Sequence, residues 1–124
     1  MKSAKDYLAE ANAIITRIPS AEAVAKHATG KGVWIDVRDS GDIAASGTIR
    51  GAERVARGFI EFAADPDMPF HKDCFQKDAE IYLICGAGGQ AALAGKTLHD
   101  MGYANVTNVG GIGDWKDAGG PTEA

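Results

Sequence analysis

The sequence predicts an α/β domain: a central, mostly parallel sheet of about five strands with helices on both faces. Two compact apolar runs, "VWIDV" (33–37) and "EIYLIC" (80–85), read as buried strands. Segments of helical period separate such runs, and crossovers of that length imply parallel pairing. At 124 residues the chain can bury one core without staples, so a single domain over 1–124 is expected, with an N-terminal helical extension over about 1–18.

Residues 3–13 read as a helix, with Ser3 as N-cap and Tyr7, Leu8, Ala11 and Ile14 near helical spacing. "IITRI" is a short β-branched run, and a second helix capped by Ser20 ends at Gly30. "VWIDV" follows and is closed by "RDSGD". From Gly58 to Asp78, with Pro66 and Pro69, a long connection with one short helix is expected. "EIYLIC" runs directly into Gly86, Gly88 and Gly89. Beyond them Ala91, Ala94, Leu98 and Met101 share one face of a helix that Gly102 terminates. "NVTNV" is a further strand, and Gly110, Gly111 and Gly113 open the C-terminal tail. In such sheets ligands bind beyond the carboxyl ends of the strands, and Cys85 stands at one.

Seventeen acidic residues against thirteen basic ones, with no long run of either sign, exclude the electropositive stripe that nucleic acid requires. No segment approaches membrane-spanning length. Asp6 and Glu10 interrupt what a secretory signal would keep apolar, so a cytoplasmic location is expected. Cys74 and Cys85 are too few for a disulfide framework and lack the paired spacing of a zinc site; reduced thiols and no metal are expected.

"ICGAGGQAALAGKT" (84–97) invites several chemistries. Gly86, Gly88 and Ala91 satisfy GxGxxA between strand and helix, but the next strand ends at "NVGG" without the acidic residue that would bind ribose. Gly95-Lys96-Thr97 imitates a phosphate-binding loop, yet Gln90 stands where its first glycine belongs, and the tripeptide falls mid-helix. A cysteine phosphatase needs an arginine in the loop, and nothing from Gly86 to Gly95 is basic. A cysteine hydrolase needs a nearby histidine; His99 sits about 13 Å along the helix, and His71 could approach only through the irregular connection.

Sulfur transfer uses what is present. A free thiol of pKa about 8.5 is only slightly ionised at neutral pH, so the anion must be stabilised. The helix dipole contributes roughly 0.3–2 kcal/mol, and each loop N–H aimed at sulfur about 1.5–3 kcal/mol, so the backbone nest dominates. Glycines at 86, 88 and 89 permit the backbone conformations that turn N–H groups inward. The competing reading is a buried cysteine before a tight turn, and on this loop alone both stand.

The rest of the chain resembles the rhodanese-like sulfurtransferase domain over nearly its whole length. "DVRD" (36–39) matches the family's Asp-Val-Arg strand end, and "GTIRGA" (47–52) its Gly-His-Ile-x-Gly-Ala segment, with Thr48 in place of histidine. Arg57, Gly58, Glu61 and Phe62 match the Arg-Gly and Glu-Phe pairs that follow. Cys85 through Gln90 match the six-residue active-site loop, and "MGYANVTNVGGIGDW" the family's ending down to Trp115. Gln90 stands where many members have arginine. Gly86 and Ala87 are neutral where thiosulfate-specialised members often carry basic residues, and "CGAG" is closer to the mercaptopyruvate type, usually a two-domain protein.

The resemblance implies a rhodanese-like sulfurtransferase of thiosulfate or mercaptopyruvate type, working by ping-pong without cofactor or metal. Cys85 would be the nucleophile that becomes a persulfide and passes sulfur to a thiol or cyanide. The amides of Gly86, Ala87, Gly88, Gly89 and Gln90 would hold the anion. Arg57 and Arg50 are candidates for attracting the donor, a solvated surface role being equally open to each. Asp36 and Arg38 are expected to be structural supports, and Trp34 and Trp115 packing residues. Cys74 is a packing residue first and a resolving thiol second. The alternative function is a non-catalytic sulfur carrier or interaction module that takes sulfur from a relay protein such as a cysteine desulfurase.

Overall fold

The computed structural model describes all 124 residues. In chain order the elements are α1 (Ala4–Ile14), β1 (Thr16–Arg17), α2 (Ser20–His27), β2 (Val33–Asp36), α3 (Ser40–Ser46), β3 (Thr48–Ile49) and β4 (Glu53–Arg54). A single 3₁₀ turn (Arg57–Phe59) leads into α4 (Ile60–Ala64), followed by β5 (Glu80–Cys85), α5 (Gly89–Asp100), β6 (Asn105–Gly111), α6 (Ile112–Asp117) and β7 (Thr122–Glu123). Five strands form one sheet in the order β1-β6-β5-β2-β4, every pairing parallel, while β3 and β7 make a separate antiparallel pair. No helix is long and apolar enough to cross a membrane.

Local chemistry sets the boundaries. Ser3 Oγ accepts from Asp6 N–H at 3.2 Å and Asp6 Oδ2 accepts from Ser3 N–H at 2.9 Å, a reciprocal cap that starts α1. The second helix begins at its expected cap, one residue early: Pro19 is the extended N-cap and Ser20 the first helical residue. In the connection after residue 58, α4 buries Ile60, Ala63 and Ala64, and an irregular path leads on to β5. The C-terminal glycines do not open a tail. Gly110 and Gly111 complete β6, and α6 then buries Ile112 and Trp115.

Alternation along the strands divides the core into two. On one face Ile35, Val37, Ile81, Leu83 and Cys85 pack against Ile60 and Ala63 of α4 and Ala91, Ala94 and Leu98 of α5. On the other, Trp34, Tyr82, Ile84 and Val109 pack against Ala23 of α2 and Ile112 and Trp115 of α6. Trp34 stacks on Tyr82 at 4.3 Å and meets Trp115 at 5.6 Å, so both tryptophans serve packing. The first eighteen residues extend both layers: α1 lies along α5 with Ala11 fully buried, and β1 adds an edge strand to β6.

Asp36 shares the Trp34 face, across the sheet from Cys85. It is fully buried, and its carboxylate accepts from Arg38 Nη2 at 2.8 Å, Arg38 Nε at 3.1 Å, Arg38 N–H at 3.0 Å and Thr48 Oγ1 at 2.7 Å. Arg38 also donates to Ser46 Oγ at 2.7 Å and to the Gly47 carbonyl at 2.8 Å. This buried pair ties the end of β2 to α3 and β3, and Thr48 is a working donor within it. Breaking one side leaves a buried charge without its partner. Arg38→Met is therefore expected to lower the unfolding free energy by about 3–5 kcal/mol and Thr48→Val by about 1–3 kcal/mol, both read by urea denaturation. A loss under about 1 kcal/mol for Arg38→Met would contradict this assignment.

Candidate active site

β5 is flanked by β2 and β6, so its apolar run ends inside the sheet, and Cys85 is 1 % exposed. Four residues later the chain is helical. In that reversal Cys85 Sγ comes within 3.0 Å of Gly88 N and 3.4 Å of Ala91 N, both donating to it. The sulfur thus sits at the N-terminus of the twelve-residue α5, where backbone N–H groups and the helix dipole favour negative charge. One donor is Ala91, beyond the predicted cradle of 86–90, because the helix's first turn itself closes over the sulfur.

Two glycines make this geometry possible. Gly88 has φ of +104°. A Cβ at Gly111 would lie 2.3 Å from the Gly86 carbonyl oxygen, so β6 and the loop approach backbone to backbone there. β6 reaches that contact through a register shift: Leu83 pairs with Asn108, but Cys85 pairs with Gly111.

Two side chains not singled out in the sequence hold the loop from β6 and β1. Asn108, 1 % exposed, donates from Nδ2 to the Gly88 carbonyl at 2.9 Å and accepts from Gly110 N–H at 2.8 Å. Arg17, its register partner, donates from Nη2 to the Ala87 carbonyl at 3.2 Å. Asn108 is an amide between Thr107 and Val109 in a strand that itself carries polar residues, so it gives only a weak signal; Arg17 carries none, since its contact spans seventy residues.

Of the predicted loop residues, Gly86, Ala87 and Gln90 are exposed, Gly88 is buried and Gly89 is half-buried as the first residue of α5. Arg57 lies at the same end of the sheet. Its backbone N–H donates to the Val37 carbonyl at 2.9 Å, and its guanidinium donates to Thr97 Oγ1 at 3.0 Å and Glu61 Oε1 at 3.1 Å. It lines a groove of about 560 Å³ between α1 and α5, with Tyr7, Leu8, Gly89, Leu93 and Thr97. Arg50 is elsewhere: with His27, Lys31, Gly32 and Trp34 it lines a pocket at the amino end of β2, because the β3 turn carries it away from the loop.

Cys74 is half-buried and, like Val33, Ala79 and Met101, packs against the rim of the core cluster on the Cys85 face. None of the histidines serves Cys85. His99 is exposed at the far end of α5, His71 contacts the Phe75 carbonyl, and His27 the Arg50 carbonyl. The Gly-Lys-Thr sequence is mid-helix, with Lys96 paired to Asp100 at 2.8 Å. No group of three or more His, Cys, Asp or Glu side chains is placed to hold a metal.

Gly88→Ala forces a Cβ into the left-handed region and to within 2.3 Å of the Arg17 guanidinium. It should cost about 1–3 kcal/mol. Gly86→Ala meets nothing within 4 Å and should stay within about 0.5 kcal/mol of the parent. Thermal or urea unfolding of the pair checks this, and equal losses would contradict it.

The rhodanese-like domain model matches residues 20–118. Over 55 residues the chain is 42 % identical to the adenylyltransferase and sulfurtransferase UBA4 of Candida albicans; the match covers 44 % of this chain and 13 % of that protein, so the chain spans only a small part of that relative's length. RPA3614 from Rhodopseudomonas palustris, a protein of unknown function named a possible tyrosine phosphatase, superposes with a TM-score of 0.94 at 40 % identity, over 99 % of this chain and 96 % of its own. The human single-domain sulfurtransferase TSTD1 shares the fold, with a TM-score of 0.70 at 22 % identity over 82 % of this chain and 95 % of its own. A buried cysteine cradled between strand and helix, in a fold matched along most of its length, places this chain in the rhodanese-like domain family.

Proposed function

We propose that the protein is a sulfurtransferase that carries sulfane sulfur on Cys85. The observation that supports this most directly is the pair of backbone donors on Cys85 Sγ, from Gly88 and Ala91, at the start of α5. Two N–H groups aimed at one sulfur can hold a thiolate and a persulfide anion alike. With thiosulfate, the Cys85 thiolate attacks the outer sulfur. A Cys85–sulfur bond forms, the donor's sulfur–sulfur bond breaks, and sulfite leaves with the electron pair. In the second half-reaction an acceptor thiolate or cyanide attacks the terminal sulfur, and the Cys85 thiolate is released. The amides of Gly88 and Ala91 hold the anion through both steps, the remaining amides from Gly86 to Gln90 line the mouth of the loop, and Arg57 attracts the donor from the groove side.

Purified protein incubated with thiosulfate or 3-mercaptopyruvate should gain one sulfur atom at Cys85 by intact mass, and Cys85→Ser should gain none. An unmodified Cys85 with every small donor would overturn the independent enzyme. A carrier fed by a relay protein is the second reading, favoured by the neutral side chains of Gly86, Ala87 and Gln90; it predicts sulfur uptake only from a cysteine desulfurase. An aryl phosphate belongs in the same assay, because the Rhodopseudomonas relative is named a possible phosphatase. Turnover of it without sulfur uptake would replace sulfur transfer by phosphoryl transfer.

Cys74 serves as the internal control. Burial pushes its thiol above the ordinary cysteine range, the Glu53 carboxylate adds to that, and the Lys72 ammonium opposes it. A raised pKa means less thiolate at neutral pH, so alkylation of Cys74 should still be rising at pH values where an ordinary thiol has reached its plateau. Cys74→Ser should keep full turnover with a thiol acceptor. A turnover loss in that variant would restore Cys74 as a resolving thiol.

A further inference from the structure

Between Cys85 and Gln90 no side chain is charged, yet a guanidinium stands against this backbone. Arg17 Nη1 lies 2.3 Å from where a Gly88 Cβ would be, and Nη2 lies 3.1 Å from the equivalent point at Gly110. Gly88 N is itself 3.0 Å from Cys85 Sγ, so bond geometry puts Nη1 within about 8 Å of the sulfur.

Arg17 differs from the other cations around the site in having no counter-charge. Arg57 is paired with Glu61, Lys96 with Asp100 and Lys2 with Glu10, whereas no carboxylate pairs with Arg17. Its one hydrogen bond, to the Ala87 carbonyl, uses one of five N–H donors, and the residue is exposed. The parallel register opposite Asn108 fixes its place, since Asn108 holds the neighbouring Gly88 carbonyl from within.

We infer that Arg17 is the anion-recognition residue of the Cys85 loop, selecting small donors that carry a sulfonate-like or carboxylate charge beside the sulfur they give up. This rests on Cys85 being the sulfur-accepting thiol. An unpaired cation at that distance acts on an anion through a medium between water and protein, worth about fivefold in rate or affinity.

Alkylation of the full-length protein, read on the Cys85 peptide, tests the cation without sulfur transfer. Iodoacetate is anionic and iodoacetamide neutral, so their rate ratio isolates the charge from thiol reactivity. Arg17→Gln should lower that ratio about fivefold and Arg17→Lys should keep most of it. Added salt should lower the ratio in the parent and leave it flat in Arg17→Gln. A ratio unchanged in Arg17→Gln, including the case where both rates fall together, would overturn the proposal and leave Arg17 as a brace for Ala87. With sulfur donors, Arg17→Gln should raise KM about fivefold. The larger rise, with thiosulfate or with 3-mercaptopyruvate, identifies the anion type. Absence of sulfur uptake by the parent would count against the sulfurtransferase reading, while the alkylation ratio still judges Arg17.

Discussion

The constraint on which this site depends is the distance in which β5 must become α5. Three residues separate Cys85 from the first residue of the helix, too few for an ordinary loop, and the chain turns through Gly88 in a conformation that side chains rarely adopt. That sharp reversal is what points two amides at one sulfur. It also brings the Gly86 carbonyl so near Gly111 that β6 can tolerate no side chain there, which couples the shape of one strand's end to the shape of its neighbour's loop. The register shift in β6 is the adjustment that lets both conditions hold in one sheet.

The sheet keeps its two polar systems apart. Cys85 faces the helices α4 and α5, while Asp36, Arg38 and Thr48 occupy the opposite face and hold α3 and β3 in place. The buried carboxylate–guanidinium pair is one strand away from the sulfur yet contributes architecture, consistent with its saturation by Arg38 and Thr48 donors. A charge so fully occupied has little left to offer a ligand. Arg57, shared between Glu61 and Thr97, is an intermediate case, and Arg17 lies at the other extreme.

How much of this was legible in the sequence follows from which forces act locally. "EIYLIC" was readable to the residue, because a central parallel strand must be apolar on both faces. Ser3 marked the start of α1 because a cap is a contact three residues long. The helices α3 and α6 were not read: α3 buries only Ile43, and α6 hides behind glycines that belong to β6. The two-residue strands have no period to detect. At the site, Cys85 and the glycines announced themselves, whereas Arg17 and Asn108 act on carbonyls seventy and twenty positions away, and Arg50 was drawn in only by its charge. Spacing along a chain does not show which end of a sheet a turn will occupy.

The edge strand β1 has a consequence for how such a site can change. Residues 20–118 carry the likeness to the family, and they contain the sulfur and the backbone that cradles it. Arg17 lies outside them, on a two-residue strand that joins the sheet at its rim. On the roles proposed above, the sulfur cradle and the guanidinium beside it therefore sit on separate stretches of chain. Because its guanidinium also holds the Ala87 carbonyl, a substitution at Arg17 reaches the cradle through the backbone as well as through charge.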